Sequence, residues 1–274
     1  IGTARTESGL TEDMEQHRSS KTPIIATLGD WMGTPLGNYV RLWEQERLDA
    51  LTADIFGFNA LQVGLPQVDA LRANRMQHRW LSEEPSRQSA NGGRKPDLLH
   101  EFCDLPFASE SLDLVVLPHV LEFAAEPHQV LREVARVLIP EGQVIICGFN
   151  PASLWGLRRM TSRLTGGSFL PSGGDLIGLR RIKDWLKLLS LEINRGHFGC
   201  YIPPRMTESS IRRYAFMEKA GNRWWPSLGG VYILQAAKRV RGMTMVGPVK
   251  FRKKPQVINI PVASKNGQKI DGQG

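Results

Sequence analysis

The chain has 274 residues, 41% of them hydrophobic, and a formal net charge of +8. This length accommodates one α/β domain with tails, and no apolar stretch is long enough to predict a transmembrane helix. The three cysteines, Cys103, Cys147 and Cys200, are widely spaced. They fit neither a disulfide framework nor a zinc pattern, so we expect a cytoplasmic protein with no membrane partner.

The N-terminal residues 1–23 are polar and lack the apolar core of a signal peptide. They offer little surface to bury, so we expect a disordered extension. The folded domain is expected to span residues 24–238 and to begin with an amphipathic helix. Core packing is the expected role of Trp31 and Trp43 in this first part of the domain.

Short apolar runs alternate with helical patterns along the rest of the domain. The predicted strands are 59–64, 77–81, 97–102, 112–117, 144–147, 191–195 and 231–237. Between the fourth and fifth strands, Pro127 begins a segment whose apolar residues recur every three or four positions, which predicts a helix. Residues 140–142 are expected to end it. A strand–helix–strand unit of this kind predicts a right-handed crossover in a parallel sheet.

The segment 104–150 also resembles a known family. It reads D-L-P-F at 104–107, L-D-L-V at 112–115 and L-R-E-V-A-R-V-L-I-P-E-G at 131–142. These residues resemble the motifs around strands four and five of class I S-adenosylmethionine (SAM) dependent methyltransferases, in an uncharacterised bacterial branch of the type 11 group. The resemblance implies an α/β, Rossmann-like fold of three αβα layers, with a seven-stranded, mostly parallel sheet and an antiparallel last strand.

The resemblance further implies a SAM site at the carboxyl ends of the first four strands. In the family, the first strand ends in an acidic residue and a D-x-G-x-G-x-G turn whose backbone amides approach the cofactor. In this chain Gly64 is the one glycine retained in the turn. Gln62 replaces the acidic residue, Leu65 adds bulk, and Pro66 removes a backbone donor.

The other implied cofactor-binding residues follow the next three strands. Glu83 or Glu84 would accept hydrogen bonds from the ribose hydroxyls, and Asp104, with its neighbour Leu105, would contact the adenine. The alternatives are solvated glutamates and an aspartate that caps its loop. His119, which follows the fourth strand, would line the same site.

His119 and Glu122 are the candidate catalytic residues. An imidazole titrates near neutral pH and can act as a general base, and ligands bind at the carboxyl ends of strands in open α/β folds. The alternative for His119 is a structural role. Methyl transfer in this fold depends mostly on alignment, so a dedicated base is not required.

The basic excess of the chain lies at its C-terminal end. From Lys238 onward there are nine basic residues and one acidic residue, Asp271, which accounts for the whole net charge. Residues 239–274 show no periodicity and are expected to form a disordered basic tail. Such a tail could bind RNA through charge and stacking, or it could serve only solubility.

Three functions are therefore compatible with the sequence. The first is a SAM-dependent methyltransferase acting on an unidentified acceptor, and the retained D-L-P-F motif at 104–107 favours it. The second is a protein that kept the fold, lost the cofactor and serves as a scaffold or binding protein, which the changed turn after Gly64 favours. The third is a nucleic-acid-binding protein that uses the basic tail.

Overall fold

The computed structural model describes residues 24–85, 93–165, 170–171, 174–203 and 208–239. The predicted N-terminal extension, residues 1–23, and the predicted basic tail from residue 240 onward lie outside the described residues. Within the described ranges, no helix has the length and apolar character needed to cross a bilayer.

In the described chain, two helices precede four successive strands with no α-helix described between them, and pairs of helices separate the later strands. The helices are α1 (Ile24–Met32), α2 (Pro35–Ala53), α3 (Val120–Phe123), α4 (Pro127–Val137), α5 (Leu154–Thr165), α6 (Leu179–Leu188), α7 (Glu208–Arg213) and α8 (Phe216–Trp224). The strands are β1 (Asn59–Val63), β2 (His78–Glu83), β3 (Leu98–Leu99), β4 (Leu112–Pro118), β5 (Leu138–Phe149), β6 (Leu191–Gly199) and β7 (Val231–Lys238).

The strands form one seven-stranded sheet in the order β3-β2-β1-β4-β5-β7-β6. Strand β7 runs antiparallel to both of its neighbours, and the other pairings are parallel. The chain runs outward from β1 to β3 and then returns to β4, so the strand order reverses between β1 and β4. Ligands of open α/β folds bind at such a reversal. The predicted sheet and its antiparallel last strand are confirmed.

The core lies on both faces of the central strands. Residues Leu114 to Leu117 of β4 have no exposed surface, as expected for a strand covered by helices on both sides. Trp31 and Trp43 are only 6% and 8% exposed. The Trp31 ring meets Phe149 edge-on at 5.4 Å, so both tryptophans are part of the core, as predicted.

Strand β5 begins six residues before the predicted strand at 144–147. Leu138 already pairs with Leu112, and the register shifts before Leu114 pairs with Gln143. Residues 140–142 therefore lie inside an irregular strand, with Glu141 in the left-handed region at φ +65°. The prediction that they end the helix was wrong, because the helix already ends at Val137.

Two other strands differ in length from their predictions. Strand β3 has only two residues, Leu98–Leu99, instead of the predicted run 97–102, since the chain turns immediately afterwards. Strand β6 continues to Gly199 because it pairs with β7 along that whole length. His197, which lies beyond the predicted strand 191–195, is therefore a strand residue.

An ion pair on α4 holds the loop that follows β3. The Arg136 guanidinium donates to the backbone carbonyls of Leu105 (3.0 Å) and Phe107 (2.9 Å). Glu133, 2.8 Å from Arg136, accepts the Leu105 N–H. The hydrogen bonds from Arg136 lower the pKa of Glu133. The three-residue spacing of Glu133 and Arg136 in the L-R-E-V-A-R motif thus fixes the D-L-P-F loop to the helix.

We expect Arg136→Ala to lower the free energy of unfolding by about 2 kcal/mol, since two loop carbonyls lose a charged donor. Urea unfolding monitored by circular dichroism measures this change. The matched control is Arg132→Ala on the same helix, because Arg132 is exposed and bonds only to the Gln129 side chain among its described contacts. Equal stability of the two variants would contradict the loop-fixing role.

Candidate functional site

Gln62, at the end of β1, stabilises the turn that follows it. Its side chain is fully buried, and its amide nitrogen lies within hydrogen-bonding distance of the carbonyls of Gly64 (3.1 Å), Leu65 (3.1 Å) and Val68 (2.8 Å). Its carbonyl oxygen accepts the Ala70 N–H at 2.9 Å. The polar atoms of Gln62 are therefore engaged by the turn itself.

The turn is packed tightly against apolar side chains. Gly64 has φ +71° and Leu65 has φ +49°, and the Gly64 N–H donates to Ser82 of β2 at 2.7 Å. A Cβ atom on Gly64 would lie 3.2 Å from Val120 and 3.3 Å from the ring of Phe102. Glycine is therefore required here both by the backbone conformation and by the close approach of these two side chains.

Gln67 adds an unexpected polar group to this turn. Both polar atoms of its side-chain amide are buried and have no hydrogen-bond partner among the described residues. The amide lies against α1, 2.6 Å from where a Cβ atom of Gly29 would be. A buried amide without partners is costly, so the turn after β1 carries an unsatisfied polar group.

The predicted ribose and adenine residues lie after β2 and β3. Glu83 is the last residue of β2 and is 2% exposed, whereas Glu84 is half-buried and its carboxylate accepts the Phe102 N–H at 3.4 Å. Asp104 is exposed in the turn after β3, and Leu105 beside it is buried. Because β2 and β3 are adjacent parallel strands, Glu83 and Asp104 follow the same edge of the sheet. Their assignments to ribose and adenine stay predictions.

His119 is the centre of a buried Glu–His–Glu cluster formed by Glu44, His119 and Glu122. It follows β4 in a left-handed conformation, φ +56°, and has no exposed surface. Its Nε2 lies 2.7 Å from Oε1 of Glu44 on α2, and its Nδ1 lies 2.8 Å from Oε2 of Glu122 on α3. The other Glu122 oxygen accepts the Phe149 N–H at 2.5 Å.

This cluster keeps the imidazole charged. Burial by itself disfavours the imidazolium, but the Glu44 carboxylate and the hydrogen bonds to both glutamates outweigh burial and raise the pKa of His119 to about 10. Burial also raises the pKa of Glu122, against the opposing effect of its hydrogen bond to His119. With a carboxylate facing each ring nitrogen, His119 carries both protons and presents no lone pair to a substrate. The geometry thus favours a positioning role over the predicted role of base.

Glu44 was missed by the sequence reasoning, although a signal was present. It lies four residues after Val40 and four before Leu48, so it stands on the apolar, core-facing side of α2. A carboxylate at such a position needs a buried partner. The second oxygen of Glu44 is buried and has no partner among the described residues.

Among the described residues, no group of three or more His, Cys, Asp or Glu side chains is arranged to hold a metal ion. The three cysteines are free thiols, and Cys147 and Cys200 are buried. Burial raises the pKa of both thiols well above its ordinary value.

Comparisons with known proteins identify the same fold. A family described as "Methyltransferase domain" matches residues 80–146, which run from β2 into β5. The chain is 29% identical over 228 residues to the uncharacterized protein YafS of Escherichia coli K12, covering 83% of this chain and 88% of that protein. It is 34% identical over 77 residues to a demethylmenaquinone methyltransferase of Clavibacter sepedonicus, covering 28% of this chain and 31% of that enzyme.

Among solved structures, a SAM-dependent methyltransferase of Thermotoga maritima is similar to this chain with a TM-score of 0.56 and 14% identity, covering 74% of this chain and 91% of that one. At this identity the likeness concerns the fold. The methyltransferase-domain match covers the D-L-P-F and L-R-E-V-A-R motifs, so the chain has the fold of SAM-dependent methyltransferases and is similar to a methyltransferase domain over these residues.

Proposed function

We propose that the protein binds SAM at the strand-order reversal between β1 and β4 and transfers its methyl group to an acceptor. The observation that carries this proposal is the buried carboxylate of Glu83 at the carboxyl end of β2, next to the left-handed Gly64 turn at the end of β1. The methyltransferase-domain match, which includes Glu83, Asp104 and His119, supports it.

The residues around the reversal fit the two halves of SAM unequally. Glu83 would accept hydrogen bonds from the ribose, and Asp104 with Leu105 would bind the adenine. For the methionine half, the buried amide of Gln67, which lacks a partner among the described residues, would supply a donor. Phe102 and Val120, however, lie against Gly64. We therefore expect modest affinity, dominated by the adenosine half.

Bound SAM would supply an electrophilic methyl group on a sulfonium ion. The chain's own contribution would be to orient this group and to keep the site rigid and dry, since alignment provides most of the catalysis in such transfers. The Glu–His–Glu cluster would position the β4 end of the site, because it ties α2, α3 and the Phe149 N–H of β5 to one charged imidazole.

A scaffold without cofactor is the second candidate function. It is favoured by the turn itself, in which Leu65 and Val68 are buried core residues and Pro66 has no N–H to offer a carboxylate. In this candidate, the same surface would have lost the methionine subsite and kept only the fold.

Titration calorimetry of the full chain with SAM and with S-adenosylhomocysteine tests the proposal. We expect binding of both, and we expect Glu83→Ala to weaken it by about tenfold, the usual effect of losing a buried polar contact. Glu84→Ala is the matched control, since its carboxylate bonds to the Phe102 backbone, and it should bind SAM as the wild type does. Circular dichroism establishes that both variants fold. A wild-type protein that binds neither compound would replace the proposal by the scaffold function.

A further inference from the structure

The segment that joins β6 to β7 exposes a cluster of large apolar side chains. Phe216 is 66% exposed, Trp224 69%, Trp225 56% and Leu228 47%. The two tryptophan rings lie 6.2 Å apart. These four residues, here called the aromatic patch, lie within 13 positions of sequence on α8 and the turn that follows it. Large exposed apolar clusters of this kind mark interaction sites.

The outward orientation of the patch is fixed by the opposite face of α8. A Cβ atom on Gly221 would lie 2.2 Å from the ring of Tyr201, so the helix rests directly on that ring. The Glu218 carboxylate accepts the Tyr39 hydroxyl at 2.6 Å and the N–H groups of Cys200 and Tyr201 at 3.0 and 3.1 Å. With this face anchored, Phe216 and Trp224 cannot turn into the core.

Cationic groups surround the patch. Lys219 and Arg223 are exposed on α8 itself. Beside the helix lies a cavity of about 270 Å³ whose lining includes Arg47, His197 and Lys219. Burial, and after it the positive charges of Arg47 and Arg195, lower the pKa of His197.

Glu218 also lines this cavity, but both of its oxygens already accept hydrogen bonds from the Tyr39 hydroxyl and from backbone N–H groups. The lining nevertheless carries two cations, Arg47 and Lys219, against this one carboxylate, so the cavity favours an anionic group.

The sequence predicted no membrane partner, but the exposed aromatic patch favours one. We propose that this patch docks on the surface of an anionic lipid bilayer. Tryptophan side chains are enriched at the boundary between headgroups and acyl chains, and basic residues near such a surface are attracted by anionic lipids. Trp224 and Trp225 enter this boundary, Lys219 and Arg223 meet lipid phosphates, and the basic cavity accepts one headgroup phosphate. The patch immediately precedes β7, whose first residue pairs with the last residues of β5 and β6.

Docking therefore turns the carboxyl edge of the sheet toward the bilayer. This orientation does not depend on methyl transfer and can be tested separately from it.

The test is co-sedimentation of the full chain with vesicles of phosphatidylcholine alone or mixed with phosphatidylglycerol. We expect binding to the mixed vesicles, and a decrease of about tenfold or more for the double variant Trp224→Ala/Trp225→Ala, since two apolar side chains leave the bilayer. The matched control is Phe56→Ala/Phe58→Ala, which removes two aromatic residues that are 78% and 70% exposed just before β1, at the opposite edge of the sheet. This control should bind as the wild type does.

A second measurement separates the patch from the basic residues beyond 240, which every variant retains. Phosphatidylcholine brominated on its acyl chains, mixed with phosphatidylglycerol, should quench the fluorescence of the wild type, and Trp224→Phe/Trp225→Phe should lose this quenching. The charge-reversed variant Lys219→Glu/Arg223→Glu should bind the mixed vesicles less tightly.

Unchanged vesicle binding by the double alanine variant would overturn the proposal, because charge alone would then explain the binding. Self-association that depends on the two tryptophans, without vesicle binding, would also overturn it in favour of a protein contact.

Discussion

His119→Ala should lower the free energy of unfolding by about 3–5 kcal/mol, the usual cost of leaving a buried charge without its partner. In the native protein, His119 lies between Glu44 and Glu122, and the three side chains have almost no exposed surface. Without the imidazolium, two buried carboxylates remain close together, and their repulsion adds to the cost of their burial. Denaturant unfolding monitored by fluorescence and circular dichroism measures the change.

The matched control for this variant is His78→Ala. His78 is exposed at the start of β2 and stacks on Trp80 with ring centroids 5.6 Å apart, so its loss should cost less than about 1 kcal/mol. If the two histidine variants were equally stable, the two glutamates would have to be protonated in the native protein. That result would contradict a charged Glu–His–Glu cluster.

The same cluster predicts a pH dependence of stability. The pKa of His119 is raised from 6.5 to about 10 in the folded protein, so the folded state holds a proton that the unfolded state releases. This contribution is fully present below pH 6.5 and is lost as the pH rises toward 10. Burial also raises the pKa values of Cys147 and Tyr232, which lowers stability in alkaline solution as well. The difference between the wild type and His119→Ala isolates the histidine, and it should shrink between pH 7 and 10.

The sheet could be predicted because its signals are local and strong. The apolar run Leu112 to Leu117 predicts a strand covered on both faces. The apolar residues that recur every three or four positions from Val130 to Val137 predict a helix that covers it. The motif residues Glu133 and Arg136 have a physical basis that the sequence alone did not reveal, since they bind the backbone of the loop after β3. The irregular start of β5 was not predictable, because it depends on the pairing of Leu138 with Leu112 in a neighbouring strand.

The candidate site was predicted only in part, for the same reason. The positions of Glu83, Asp104 and His119 follow from strand ends, which sequence patterns locate approximately. The partners of His119 depend on which helix lies above β4, and a pattern within one segment cannot supply that information. Gln62 illustrates the limit most directly. Compared with the family motif, Gln62 stands in the place of an acidic residue. Its contacts show that this particular turn requires an amide side chain there.

Gln62→Glu, which introduces the acid that the family carries at this place, should therefore destabilise the protein by about 3–5 kcal/mol near pH 7. The new carboxylate would face the carbonyl oxygens of Gly64, Leu65 and Val68, which now lie 2.8–3.1 Å from the Gln62 amide nitrogen. A carboxylate accepts hydrogen bonds and cannot donate any to these carbonyls. The remaining donor, the Ala70 N–H, does not offset the repulsion. Urea unfolding curves at neutral pH measure the effect.

The control is Gln62→Met, which has a similar shape, carries no charge and loses the hydrogen bonds, at a cost of about 1–3 kcal/mol. The substituted glutamate would also have a raised pKa in the folded state, so its excess cost over the methionine variant should appear as the pH rises above the ordinary carboxyl range and vanish in acid. A glutamate variant as stable as the wild type at pH 7 would show that the turn can rearrange around an acid. In that event the turn after β1 would have two conformations, one of them the compact conformation packed against Phe102 and Val120. The variant should then bind SAM more tightly than the wild type does.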